Sequence, residues 1–283
     1  MAGTPSVGIV TDSTADIPRE LAAELGITVV PLSVTLEGTT YLDGDMPLSE
    51  FLAKMAAAKQ LPTTSQPPVG AFAEAFREKL KTCADVICVT VSGKLSGTLE
   101  SATEAAREVG SRVHVLDSLN LSWGEGYQVV AVARAAARHA TVDEIVRTFE
   151  QVRSKMNIVV GLDSLDNLAK GGRIGKVSAL VGGMLNVRVL LTIVEDGSFE
   201  PVYRGRGAKA ALQATVDWLA GRVDATKEAA FAVLHSGSPE KAEWLERAVR
   251  ERFTVAELMT IETGQVIGTH TGTGWGLTGI ELG

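Results

Sequence analysis

The segment Gly268-Thr269-His270-Thr271-Gly272 sets one imidazole between two threonine hydroxyls and two glycines. Imidazole is the side chain whose ordinary pKa brings its charge change closest to neutral pH, and the hydroxyls both donate and accept. Glycine allows positive φ and lets a ligand approach the backbone closely. With apolar Val266-Ile267 before it, the stretch reads as a short strand running into a glycine-rich turn. There His270 suits a general base, a metal ligand, a donor to a bound anion or a satisfied core histidine. Four other stretches repeat the hydroxyl-rich theme: Thr11-Asp12-Ser13-Thr14, Thr63-Thr64-Ser65-Gln66-Pro67, Ser92-Gly93-Lys94-Leu95-Ser96-Gly97-Thr98 and Asp117-Ser118-Leu119-Asn120. Three of them lead into predicted helices, whose free N–H groups and positive dipole end favour an anion. Ser, Thr and Asp are also ordinary helix caps, each contributing about 1 kcal/mol. Several such loops at one sheet edge, with more hydroxyls than capping uses, favour a binding site. Lys170-Gly171-Gly172-Arg173-Ile174 adds an arginine beside paired glycines, suited to an anion at a backbone turn or to an exposed helix end.

Other chemistries lack their residues. His114, His139, His235 and His270 are scattered, with no HxH, HExxH or cysteine pairing. A nucleophile elbow G-x-S-x-G is missing. Gly175-Lys176 fails as a phosphate loop because position 170 is Lys and Val177 stands where Ser or Thr is required. Gly274, Gly276 and Gly279 match GxGxxG at the C-terminal end, where no helix follows.

The elements that must position these groups alternate. Strands are expected at Val7-Thr11, Ile27-Val34, Val86-Val91 and Val113-Leu116. Helices are expected from Pro18 to about Leu25 and over Leu48-Ala58, Ala71-Leu80, Thr98-Val109, Tyr127-His139 and Thr141-Lys155. Thr141 and Glu144 form a capping box. Such alternation predicts a doubly wound, mostly parallel α/β domain over residues 1–157. From 158 to 283 the pattern becomes α+β with a mixed sheet: a strand at Ile158-Leu162, an apolar helix near Val177-Leu185, and strands Val187-Val194 and Glu200-Arg204 around the hairpin signal Asp196-Gly197. Helices at Lys209-Gly221 and Pro239-Arg252 and strands at Ala230-His235, Glu257-Glu262, Gln265-Thr269 and Gly276-Leu282 complete it.

The chain has 283 residues, 45% hydrophobic and 22% charged, as in a soluble globular protein. Its net charge of −7 argues against a nucleic-acid or anionic-membrane surface. No run reaches the ~20 apolar residues of a membrane helix. The start lacks the basic and apolar regions of a secretory signal. Cys83 and Cys88 are not a CxxC pair and read as reduced packing residues of a cytoplasmic protein.

Taken together and in order, these motifs resemble the DegV family of bacterial fatty-acid-binding proteins, which includes the B component of the fatty acid kinase system. The resemblance rests on Thr11-Asp12-Ser13-Thr14, Thr64-Ser65-Gln66-Pro67, Leu95-Ser96-Gly97-Thr98, Asp117-Ser118, Lys170-Gly171-Gly172-Arg173-Ile174 and Ile267-Gly268-Thr269-His270-Thr271-Gly272, spanning essentially the whole chain. It implies two α/β domains with a long-chain fatty acid buried at their interface. Thr64, Ser65 and Ser96 would hold the carboxylate, with His270, Thr271 and the turn's backbone amides beside it. Arg173 and Arg204 would face a separate ATP-dependent kinase or its phosphoryl group. The protein would be a carrier without catalysis, cofactor or metal of its own, serving phospholipid metabolism, with the fatty acid and the kinase as partners and transient membrane contact allowed. Gly93 departs from a serine common in the family, Thr273 from a proline, and Arg188-Val189 from Lys-Pro.

The physics of such a ligand is compatible. A free fatty acid is ionised at neutral pH, since its carboxyl resembles that of Glu at about 4.3. A sixteen-carbon tail at about 0.8 kcal/mol per buried CH₂ supplies roughly 12 kcal/mol before ordering costs, so the tail sets affinity and the head group sets orientation. Val177-Leu185 and Val187-Leu191 could line the tail or simply form core. The rival expectation is a subunit or enzyme for a small carbonyl compound, akin to dihydroxyacetone kinases, with His270 as the covalent attachment point.

Overall fold

A computed structural model describes residues 6–180 and 187–283 of the chain. In chain order the first half contains β1 (Val7–Asp12), α1 (Arg19–Glu24), β2 (Ile27–Val30), β3 (Ser33–Leu36), β4 (Thr39–Leu42), α2 (Leu48–Ala57) and β5 (Thr63–Ser65). Then come α3 (Val69–Lys79), β6 (Asp85–Thr90), α4 (Thr98–Val109), β7 (Val113–Asp117), α5 (Trp123–Ala137) and α6 (Val142–Lys155). The second half contains β8 (Asn157–Leu162), α7 (Asp166–Lys170), β9 (Val187–Ile193), β10 (Phe199–Arg206), α8 (Ala208–Ala220) and β11 (Glu228–Ser236). It closes with α9 (Pro239–Arg252), β12 (Thr254–Glu262), α10 (Gln265–Thr271) and β13 (Gly274–Glu281).

The chain divides into two compact units, Met1–Ser33 with Ser65–Ser154 and Val34–Thr64 with Lys155–Gly283. The first is the expected parallel α/β unit, a sheet of order β2-β1-β6-β7. Side chains alternate across its central strands. Ile9, Ile87 and Val89 face Val129, Val132, Ile145 and Phe149 of α5 and α6. Val10, Val86 and Cys88 face Phe72, Phe76, Ala102 and Ala105 of α3 and α4. Both faces are therefore covered, which is why these strands read as unbroken apolar runs. The Thr141 capping box forms, with Glu144 accepting from the Thr141 amide at 2.8 Å. Cys83 and Cys88 are both free thiols, Cys88 fully buried.

The second unit is built on a mixed sheet of order β10-β9-β8-β13-β11-β12, in which only β11 and β12 run parallel. Asp196-Gly197 turns the β9–β10 hairpin as expected, Gly197 taking φ +81. The core gathers Val159, Leu190, Val216, Leu219, Phe231, Val233, Trp275 and Leu277. The Trp275 indole lies across Gly161 of β8 and leaves no room there for a Cβ. Among the described residues, no helix is long and apolar enough to cross a membrane.

Four expectations are revised. The strand expected over Ile27-Val34 is two, β2 in the parallel sheet and β3 in a small sheet of order β4-β3-β5. Residues 34–64 group with the second unit, so the chain is not divided by one cut after 157. The cause is polar and apolar contact with α10: Gln265 bonds Gly44 and Met46, Asp43 accepts from the Val266 amide, and Leu48 packs over Gly268. Gln265-Thr269, expected as a strand, is the body of helix α10. Its β-branched residues favour extended backbone locally, but the Thr269 and Thr271 hydroxyls bond back to the carbonyls of Gln265 and Ile267, and packing settles the rest. Finally, the helix expected near Val177-Leu185 is a 3₁₀ turn over Gly175–Leu180, and residues 181–185 lie outside the described residues.

The buried Trp275 Nε1–H donates to Thr215 Oγ1 at 2.9 Å. Thr215→Val should leave that donor unsatisfied and lower unfolding stability by about 1–3 kcal/mol, measured by denaturant titration.

Candidate functional site

In the second unit, α10 carries His270 in its last turn, ended by Gly272 at φ +60. Strand β5 brings Thr64 to it: Thr64 Oγ1 and His270 Nε2 are 2.8 Å apart. The other ring nitrogen faces Gly171, just past α7, where any Cβ would strike Nδ1. Glycine is required here for close approach. Arg173 Nη1 donates to the Gly171 carbonyl at 2.7 Å, so the guanidinium is held beside the imidazole. Burial, reinforced by the Arg173 charge, lowers the His270 pKa to about 4. The ring is therefore neutral at pH 7.

That neutrality fixes what the pair can do. His270 Nδ1 is buried with no hydrogen-bond partner among the described residues. An orphaned buried N–H is rarer than an under-satisfied acceptor, which assigns the ring proton to Nε2. Nε2–H then donates to Thr64 Oγ1, and the Thr64 hydroxyl keeps its own proton for a further acceptor. The arrangement is a two-step donor relay with no formal charge, suited to an anion or a carbonyl oxygen.

The remaining expected groups divide. Thr271 donates to the Ile267 or Gly272 carbonyl, each at 3.0 Å, and so offers a ligand lone pairs but no proton. The expected turn amides are absent from the role given them, because α10 ends here and the Gly272 amide bonds the Gly268 carbonyl at 2.9 Å. A helix C-terminus presents carbonyls, not donors. Arg204 is exposed on edge strand β10, with no hydrogen bond or ion pair to this cluster among the described residues. Val189, Leu190 and Leu191 are buried, and Leu190 belongs to the core around Trp275.

In the first unit, Ser96 opens α4. Its Oγ shares a hydrogen bond with Thr98 Oγ1 at 2.8 Å and accepts from the Thr98 amide at 3.3 Å. At Gly97 a Cβ would meet the Gln66 amide, which would have to shift, and Gln66 Nε2 donates to Ser101 Oγ at 2.9 Å. Ser65, next to Gln66, is exposed. Gly93, the departure from serine, lies where a Cβ would be 2.7 Å from Leu99 Cδ2, so the glycine follows its local packing. The sheet order makes β1 and β6 neighbours whose connections leave in opposite directions, the usual place for a ligand crevice.

Two polar groupings were not singled out by the motifs. Asp163 accepts from Lys241 at 2.6 Å and Thr273 at 2.8 Å and pairs with Arg188 Nε at 3.2 Å. Burial works against its charge, but these partners hold its pKa below the usual range. Thr273 and Arg188, two of the family departures, thus meet at one carboxylate. The second grouping is Asp12 with Glu125, both 0% exposed. Asp12 stood in one of the hydroxyl-rich motifs, whereas the sequence signal for Glu125 was one acid inside the otherwise apolar start of α5. Among the described residues, no group of three or more His, Cys, Asp or Glu is placed to hold a metal ion.

Because the native His270 pKa lies below its unfolded value, the unfolded chain takes up this proton first as pH falls. The stability that neutral His270 contributes is complete above about pH 6.5 and lost progressively toward about 4. His270→Gln should flatten that acid limb by up to about 3 kcal/mol in pH-dependent unfolding. The His270 ring resonances in NMR should show no titration between about pH 8 and about pH 5.5.

Comparison with known proteins places the chain in a family. A family model described as uncharacterised protein, DegV family, matches residues 6–281. The DegV domain-containing protein YejH of Lactococcus lactis subsp. lactis is 36% identical over 272 residues, 95% of this chain and 96% of that one. A DegV family protein from Thermus thermophilus, described for its fatty acid binding, has the same fold with a TM-score of 0.93 at 32% identity, over 98% of this chain and all of its own. A protein from Thermotoga maritima whose structure revealed a fatty acid binding function aligns with a TM-score of 0.88 at 28% identity, over 98% of this chain and 100% of that one. The chain belongs to the DegV family.

Proposed function

We propose that the protein binds a long-chain fatty acid, with its carboxylate received by hydroxyl donors and its acyl tail buried, and presents that carboxylate to a separate ATP-dependent kinase for acyl-phosphate formation. The observation that carries the reading is the Thr64–His270 relay: a neutral imidazole seated on Gly171 that frees one threonine proton for a ligand. Neutral donors can orient a carboxylate without pairing it so strongly that it ceases to be a nucleophile toward a phosphoryl group. Ser65 and Ser96 enter the head-group set through the family resemblance, and Thr271 as a neighbour that accepts. Arg173, held by the Gly171 carbonyl, is the proposed contact for the phosphoryl group, together with exposed Arg204. Fatty acid binding by the Thermus thermophilus and Thermotoga maritima relatives supports the ligand class. The small-carbonyl reading fares worse. Covalent attachment needs an accessible ring nitrogen, whereas Nε2 is bonded to Thr64 and Nδ1 is covered by Gly171.

Mass spectrometry of an organic extract of purified protein should find C14–C20 acids near equimolar ratio. A clean extract, with no uptake of added palmitate, contradicts the proposal. Thr64→Val should weaken binding by about 1.5–3 kcal/mol, the value of a hydrogen bond to a charged group. Arg173→Ala should leave fatty acid binding within about threefold while slowing acyl-phosphate formation by a cognate kinase about tenfold or more, as expected for loss of a charge-assisted phosphoryl contact. Equal kinase rates would remove Arg173 from that role.

A further inference from the structure

The first unit buries two carboxyl groups side by side. Asp12 ends β1 with three donors facing it: Oδ1 accepts from the Thr14 amide at 2.9 Å and from the Thr14 hydroxyl, and Oδ2 accepts from the Val91 amide at 2.9 Å. Glu125, in the first turn of α5, accepts from Thr11 Oγ1 at 3.2 Å through Oε1, while Oε2 has no donor facing it among the described residues. Glu125 is held beside Asp12 by its bond to Thr11, the residue before Asp12 in β1, and the Asp12 charge acts on it. A fully buried carboxylate oxygen with no donor is costly as an anion, whereas a protonated one carries its own donor.

The charged groups acting on Glu125 are both acidic, Asp12 and Asp16 from β1 and the turn after it. From β6, Cys88 faces the pair, and its thiol is pushed up by burial and then by both carboxyl groups. Burial first, then the Asp12 charge, raises the Glu125 pKa well above its ordinary value, and burial also raises that of Asp12. Asp12, with three donors, is the better-stabilised anion. The single proton therefore resides on Glu125.

The pair sits where three loops meet. Asp12 tethers the turn after β1 through Thr14 and the segment after β6 through Val91. The latter segment runs on through Ser92, whose amide bonds the Asn120 carbonyl at 2.8 Å, to Ser96 and the start of α4. Glu125 lies just past Ser122, which takes φ +49 and bonds Asp16, itself at φ +49. Non-glycine residues in the left-handed region persist only where surrounding contacts hold them.

We propose that Asp12 and Glu125, joined by one shared proton, are positioning residues that hold the Val91–Gly97 loop, and with it Ser96, in place for the ligand head group. The role of Ser96 rests on the fatty-acid reading above, whereas the shared proton does not.

The test compares wild type with Glu125→Gln, which keeps a donor toward Asp12, and Glu125→Ala, which does not. A native carboxyl pKa above the unfolded one means that stability is complete below the ordinary carboxyl range and falls as pH rises toward the native value. From about pH 5 to about pH 8, wild type should lose stability relative to Glu125→Gln, with His270 contributing equally to both. Amide hydrogen exchange over 91–97 should be faster in Glu125→Ala by about tenfold or more, the loss expected when a buried acceptor is stripped of its donor, and near wild type in Glu125→Gln. Palmitate affinity should follow the same order. Identical pH profiles for wild type and Glu125→Gln, or equal loop exchange in the two variants, overturn the proposal. If wild type binds no palmitate, the fatty-acid reading fails, while the pH profiles and loop exchange still decide the shared proton. Should Glu125→Ala not fold, faster wild-type exchange over 91–97 at about pH 8 than at about pH 5, after correction for intrinsic rates, supports the proposal, and its absence refutes it.

Discussion

The hydrogen bond between Thr64 and His270 joins positions 206 residues apart in the chain, and much of the second unit is arranged so that it can form. Residues 34–64 leave the parallel sheet after β2, build a small sheet of their own and lay α2 against α10. Gln265, Val266 and Gly268 receive them there through side-chain and backbone contacts. Only with that segment packed on α10 does β5 reach the imidazole. Gly171 completes the seat from below, because any larger residue would displace the ring. One polar contact thus depends on three separate stretches of chain.

Charge is handled consistently in both units. At His270, burial and Arg173 both disfavour the imidazolium, so the donor relay is neutral. At Asp12 and Glu125, no basic side chain among the described residues compensates the buried carboxyls, and hydroxyls, amides and a proton take that part. Where full charges remain, as at Asp163 with Lys241 and Arg188, the side chains are partly solvated and paired. Burying an unpaired ion costs far more than protonating it, and that asymmetry accounts for all three arrangements.

The parallel sheet of the first unit was legible because its signals are local. Strands buried on both faces are continuous apolar runs, the helices between them carry their own caps, and the hydroxyl-rich loops fall at strand ends where such sheets bind ligands. Asp196-Gly197 and the Thr141–Glu144 box are likewise short-range and formed as read. The errors share the opposite character. Gln265-Thr271 is rich in β-branched residues and glycine, so its own preferences favour extended backbone, and its helix is imposed by contacts with residues 43–48. Ile27-Val34 looks like one apolar strand, yet β2 and β3 in it serve different sheets. Glu125 is one acid in an apolar helix, and nothing nearby in sequence says that Asp12 lies against it.

By itself the sequence determined the α/β class, the family, and which stretches hold chemistry-bearing residues, because residue type and short-range order carry that information. Tertiary structure decided which groups act together and in what protonation state. It assigned Val34–Thr64 to the second unit, turned the histidine segment into a helix end that offers carbonyls instead of amides, and seated a neutral His270 between Thr64 and Gly171. It also enclosed Asp12 with Glu125. These outcomes depend on burial and on partners distant along the chain, and the desolvation that sets a pKa exists only once the chain has folded around the group.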